Sequence, residues 1–200
     1  MSQVQICNRA LSEYLGEERI DSINEDSTAA RACKLHYDDV LTGLLERHWF
    51  NFSKGRQAMA LVINDRDKEW LFAYKRPNDA LAIRWVNDVE QARAAMRANL
   101  SPDIERENAG QTIYCDVSGA VCEYTKLITD TNEMPQSFRD ALSAAIAGAI
   151  AQDITEDEKR TREARRAAEQ KFLMAVQMDD RNTPPVKAGV PQYLVDRGIQ

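Results

Sequence analysis

Histidine, proline and glycine are scarce in this chain of 200 residues, which holds 2, 6 and 8 of them respectively. The glycines stand singly, so the chain has no phosphate-cradling loop and no dinucleotide fingerprint, and G-x-S-x-G and H-E-x-x-H are missing as well. The two histidines, His36 and His48, fall on one predicted helix with a rise of roughly 18 Å between them and cannot serve one site together. Cys7, Cys33, Cys115 and Cys122 form no C-x-x-C pair. They read as small buried hydrophobes with free thiols rather than zinc ligands, so no metal and no cofactor is expected. Cys33 and His36 are an i, i+3 pair, but no third group is visible to orient the imidazole as a base.

Long apolar runs are also missing. The longest nearly uncharged stretch, Ala141 to Gln152, is about half the length of a membrane span. The opening MSQVQICNRALSEY lacks the basic start and apolar block of a secretion signal, so a cytoplasm-like compartment is expected. Basic residues are in deficit, 26 against 32 acidic, for a net charge of −6. Such a balance disfavours a protein whose affinity comes from neutralising phosphates. With 44% apolar residues and 7% aromatics the chain has the composition of an ordinary globular protein. At this length about 70% of the unfolded surface can be buried.

Periodicity supplies the elements. Val4, Cys7, Leu11, Tyr14 and Leu15 predict a short helix that stops at Gly16. Asp26 or Ser27 caps a second helix in which Ala30, Cys33, Tyr37, Val40, Leu41, Leu44 and His48 share a face, and the two helices are expected to pack together. The aromatics of Trp49-Phe50-Asn51-Phe52 read as an anchor for its end. From Arg56 to Val86 the period is two: MALVI, then Trp70, Phe72 and Tyr74, then Leu81, Ile83 and Trp85, which predicts an antiparallel meander. Val89 to Leu100 is helix-prone, and SPDIERENAGQ reads as a connection. TIYCDV and AVCEYTKLI flank Ser118-Gly119 and predict a hairpin with Cys115 facing Cys122 and Asp116 facing Val121. Pro135 opens a third helix with a narrow stripe of Phe138, Leu142, Ala145, Ile146, Ala149 and Ile150. A fourth, from Thr155 to Met178, carries Ala164, Ala168, Phe172, Ala175 and Val176 opposite the charge pairs Glu156–Arg160, Glu158–Arg162 and Arg165–Glu169.

The expected fold is therefore α+β. A four-helix bundle from residues 1–52 and 133–178 holds a small antiparallel β insertion at 53–132, and an extended C-terminal arm follows at 179–200. Three of the six prolines lie in that arm. Its apolar residues are too many for a purely solvated tail, so Pro184, Pro185, Val190, Tyr193, Leu194 and Val195 are the candidate partner interface. The carboxylates of Glu13, Glu17, Glu18, Asp21, Glu25 and Asp26 crowd one early stretch, where acids are ordinarily solvated; they single out no catalytic pair.

In order, these features include LGEERIDSINED, the long helix AARACKLHYDDVLTGLLERHWFNF, the strand pair WLFAYKRPNDALAIRWV and the hairpin QTIYCDVSGAVCEYTKLI. The junction TDTNEMPQSFRDALSAAIAGAIAQDIT then leads into a charged helix. From Val4 to Met178 this succession resembles the head-to-tail adaptors of short-tailed bacteriophages, the tail tubular protein A group. The resemblance implies a non-enzymatic virion component, assembled in the host cytoplasm into a ring of about twelve copies. That ring sits between the portal protein and a nozzle of the tail tubular protein B kind, and DNA passes through its lumen without specific binding. A more distant likeness to tail accessory factors implies, as the alternative, a peptidoglycan hydrolase.

Overall fold

The computed structural model describes residues 2–88, 106–155 and 157–182. The chain divides into two units: Met1–Ser53 with Leu127–Thr183 is helical, and Lys54–Lys126 is built of strands.

In the helical unit, Ser2 and Gln5 form a capping box that starts α1 (Gln3–Arg9), which continues as a wide π turn through Ala10–Leu15. Gly16 ends it with φ 68°, a left-handed conformation that favours glycine. Asn8 then ties down the connection, donating to the Ile20 carbonyl at 2.8 Å and accepting from the Ile20 N–H at 2.7 Å. Helix α2 (Thr28–Arg47) is capped by Ser27, whose oxygen accepts from the Ala30 N–H.

Glu25 organises that cap. Its carboxylate accepts from the Ser27 hydroxyl at 2.7 Å and from the N–H groups of Asp21 and Ser22, and these bonds hold it below the usual carboxyl range. A carboxyl whose pKa is lowered by folding contributes fully above its unfolded value of about 4.3 and loses that contribution as the pH falls through the folded value. Glu25→Gln is therefore expected to flatten the loss of stability between about pH 5 and pH 3 in urea titrations. Identical acid slopes in the two proteins would contradict this.

Helix α3 (Gln136–Ile154) is the hub: α1 with its π turn, α2 and α4 (Glu158–Asn182) all pack on it. The narrow stripe expected for α3 is too narrow. Ala141, Ser143, Ala144, Ala147, Gly148 and Ala151 are buried along with Phe138, Leu142, Ile146 and Ile150, while Ala145 and Ala149 are half-buried. Small side chains let three neighbours approach one helix, so it is covered on most of its circumference. The packing expected between the first two helices is slight, because each packs chiefly on α3; the buried thiols of Cys7 and Cys33 lie close enough to perturb each other.

The aromatics after α2 anchor it as expected. Phe50, 1% exposed, packs edge-on against Phe138 at 5.0 Å and Phe172 at 6.3 Å, and Phe52 adds a contact to Phe138 at 4.9 Å. Helix α4 buries Thr161, Ala164, Phe172 and Ala175. One i, i+4 ion pair does form on it, Lys159 with Glu163 at 4.0 Å, but the expected partners Arg165 and Glu169 turn elsewhere: Glu169 receives Arg47 of α2 at 2.8 Å, and Arg165 reaches Gln152 at 3.5 Å. Glu156 lies outside the described residues. The extended conformation expected from Asp179 onward is corrected at its start, because α4 runs one more turn to Asn182; the first helix-breaking residue is Pro184.

In the strand unit, β1 (Lys54–Ala58), β2 (Phe72–Lys75), β3 (Ala80–Asn87), β4 (Arg106–Ala109), β5 (Thr112–Cys115) and β6 (Val121–Lys126) form two antiparallel sheets. Their orders are β1-β6-β3 and β2-β5-β4. This corrects two expectations. The meander fails because β2 pairs with β5 and not with β3. The Ser118-Gly119 hairpin fails because β5 and β6 belong to different sheets, so neither Cys115 and Cys122 nor Asp116 and Val121 are ladder partners.

The reason is burial. Both strands are almost continuously buried, and a buried strand needs a neighbour on each edge: β6 finds two sequence-distant partners, β1 and β3, and β5 lies between the distant β2 and the adjacent β4. Residues 116–120 instead carry the chain between sheets, and Tyr74 donates from its hydroxyl to the Val117 carbonyl at 2.7 Å. The tight hairpin joins β4 to β5 through Gly110, φ 60°. The polar stretch SPDIERENAGQ is not all connection: its residues Arg106–Ala109 form β4, a polar edge strand without alternation. MALVI is not a regular strand either. It lies along the β2 edge through Lys75 N–H to the Ala60 carbonyl and Val62 N–H to the Ala73 carbonyl. Two register shifts in β3, at Ala80/Ala82 and Ile83/Trp85, break the alternation read there. One core joins the sheets: Tyr74, Val86, Ile113, Cys115, Cys122 and Tyr124 with Met59 and Ala120. The helix-prone segment Val89 to Leu100 lies outside the described residues.

Candidate partner-binding surfaces

The predicted interface residues Pro184, Pro185, Val190, Tyr193, Leu194 and Val195 lie outside the described residues. Within them, each unit carries an apolar surface of its own.

In the strand unit the surface is the loop between β1 and β2. Leu61 is 63% exposed, Ile63 92% and Leu71 68%. A polar network fixes this loop. Asn64 donates through Nδ2 to the Trp70 carbonyl at 2.6 Å and accepts from the Arg66 N–H at 3.0 Å. The Arg66 guanidinium binds Glu69 and, at 2.6 Å, Glu107 of β4, and lies 5.1 Å from the centre of the Tyr114 ring. Tyr114 donates to Asp65 at 2.6 Å, and the Leu71 N–H donates to Asp116 at 2.8 Å. The Tyr114 hydroxyl holds the Asp65 carboxyl below its ordinary range, and the Arg66 guanidinium does the same to Glu107. Loops that expose several large apolar side chains ordinarily collapse onto their own surface. Here the hydrogen bonds hold them out, and covering Ile63 fully is worth about 1.5–3 kcal/mol.

In the helical unit the surface is the outer face of α4, where Leu173, Met174 and Met178 are 51%, 57% and 46% exposed. Met174 and Met178 form one i, i+4 ridge, and methionine adapts to irregular partners. The charge pairs read in the sequence end at Glu169 and do not reach this ridge. The signal was available in FLMAVQM, which holds more apolar residues than one buried face uses. On the same unit, small and apolar residues of α2, α3 and α4, among them Val40, Leu44, Ala145 and Ala168, together with Arg47 and Arg165 line a shallow groove of about 450 Å³.

The residues weighed for chemistry are placed apart. Cys33 is fully buried beside Cys7, whereas the His36 ring is on the exterior, 3.2 Å from Asp153 of α3. The neighbouring Cys33 thiol, followed by burial, pushes the Cys7 thiol up. The early acids serve local structure: Glu13 pairs with Arg9, Asp26 with Arg31, and Glu25 caps its turn. His48 lies near Asp179 and Asp180. Among the described residues no helix is long and apolar enough to cross a membrane. No protein-family model and no curated protein matches the sequence.

Proposed function

We propose that this chain is a non-enzymatic subunit of a ring between the portal and the tail nozzle of a short-tailed bacteriophage, where it extends the DNA channel. The observation that carries the proposal is the apolar loop Leu61, Ile63 and Leu71, held in solvent by the Arg66 and Asp65 clasp. Together with the α4 ridge it gives the molecule two different apolar patches, one per unit. Head-to-tail ring contacts join two unlike patches of identical subunits, whereas a two-fold dimer needs only one. Helices before and after an inserted strand unit, the α+β arrangement expected of such an adaptor, support this reading. A net charge of −6 per subunit, repeated around a lumen, favours sliding of DNA over its capture.

The test is light scattering on the chain mixed with the portal oligomer encoded in the same genome. The wild-type chain is expected to join the portal peak. Ile63→Asp changes a side chain that is 92% exposed, so it is expected to fold normally and to lose at least about tenfold in assembly. A wild-type chain that elutes alone beside the portal contradicts the proposal, as does release of cell-wall fragments by the purified protein in a zymogram, the outcome expected of a peptidoglycan hydrolase.

A further inference from the structure

We propose that His48, Asp179 and Asp180 form a binding site for a divalent cation of the zinc class, which clamps the last turn of α4 to the residue that ends α2. The donors come from two elements that are far apart in sequence. One imidazole nitrogen and two carboxylate oxygens all lie within 4.8 Å of one another. The Nε2 atom of His48 is 3.5 Å from Asp179 Oδ2 and 3.9 Å from Asp180 Oδ1. Two ligands bonded to one tetrahedral ion at about 2.0–2.1 Å are about 3.3–3.5 Å apart, so small side-chain rotations bring the three donors onto a common shell.

A second observation is independent of the cluster: both inner donors are held from outside it. The backbone N–H of Asn51 donates to the Asp179 carboxylate at 3.1 Å, and Asn51 Nδ2 donates to the Asp179 carbonyl at 3.0 Å. Phe50 meets the His48 ring edge-on at 4.7 Å and 75° and restrains its plane. Hydrogen bonds to a ligating carboxylate and restraint of a ligating imidazole are what hold metal donors in position. Asp179 has only 10% of its side chain exposed, while Asp180, at 66%, is open to solvent. The site thus has an inner wall and an open side.

The donor set selects the ion. One imidazole with two carboxylates suits zinc and its transition-metal neighbours, and three protein ligands leave a fourth position for water. Magnesium and calcium prefer oxygen-only shells, so the imidazole nitrogen among the three donors is what favours zinc over them. The spacing rules applied to cysteine and histidine miss such a site, because its acids sit in a segment read as an extended arm.

Isothermal titration of the full, tag-free chain with zinc chloride, magnesium chloride and calcium chloride tests the site. One zinc per chain is expected, with a dissociation constant in the micromolar range or tighter and a melting temperature that rises with zinc concentration. Asp180→Asn alters an exposed side chain and is expected to weaken zinc by about tenfold or more with an unchanged far-ultraviolet circular dichroism spectrum. His48→Gln is expected to abolish binding; if that variant misfolds, Asp180→Asn decides. Absence of zinc binding by the wild-type chain overturns the site. Zinc binding of equal strength in a folded Asp180→Asn variant also overturns it, and so does binding of magnesium or calcium as tight as zinc.

Discussion

Phe50→Ala is expected to lower the stability of the helical unit by about 3–5 kcal/mol, the range for removing a large buried aromatic side chain. Phe50 is 1% exposed and touches the rings of His48, Phe52, Phe138 and Phe172, so it joins the end of α2 to both α3 and α4. Its neighbours cannot easily close the void. Phe172 is held under the Arg47 guanidinium, 3.8 Å above its ring, and Arg47 is itself tied to Glu169. The backbone after Phe50 is fixed by Asn51 on Asp179. A domain of ordinary stability, about 5–15 kcal/mol, loses a large fraction of it by this change. Urea unfolding followed by circular dichroism measures the effect, and Phe50→Leu, which keeps much of the volume, is expected to lose markedly less. A loss below about 1 kcal/mol for the alanine variant would mean that this cluster is not the joint of the unit.

Gly55→Val is expected to displace β1 from its sheet and to cost the strand unit about 3 kcal/mol. Gly55 lies opposite Tyr124 in the β1–β6 ladder. A Cβ at position 55 would stand 2.5, 2.6 and 2.9 Å from three atoms of the Tyr124 ring, closer than carbon atoms approach. The ring cannot swing aside cheaply. Tyr124 is 4% exposed, it packs in the core shared by the two sheets, and its hydroxyl donates to Asp79 at 3.0 Å. Hydrogen exchange is expected to show β1 amides losing protection first, since β1 is an edge strand whose ladder partner is β6 alone. The double variant Gly55→Val with Tyr124→Ala is expected to be more stable than the sum of the two single losses allows, because the truncated ring no longer meets the added methyls. Strict additivity would place the cause of the Gly55 effect elsewhere.

The helices were legible because their signals are local. Ser27 caps, Gly16 stops, Pro135 starts, and the apolar residues of α2 recur at helical spacing. Strand partners were not legible, because pairing is decided by which strands must be covered on both edges. Ser118-Gly119 has the local chemistry of a hairpin turn, yet the burial of TIYC and VCEYTK sends each strand to different neighbours. The edge strand RENA has no alternation to read. Candidate surfaces suffered in the same way. Leu61 and Ile63 read as strand interior, and only the polar network around Arg66 and Asp65 explains why they stand in solvent. His48 and Asp179 read as a helix end and an arm, and their proximity needs the extra turn of α4.

Electron cryomicroscopy of the chain incubated with its cognate portal tests most directly whether this molecule is an architectural ring subunit. The account predicts a single added ring of about twelve copies coaxial with the portal, its lumen continuous with the portal channel. The Leu61, Ile63 and Leu71 loop should be covered by a neighbouring subunit. Portal particles identical with and without the chain, with the chain remaining a free monomer at concentrations well above micromolar, would contradict it.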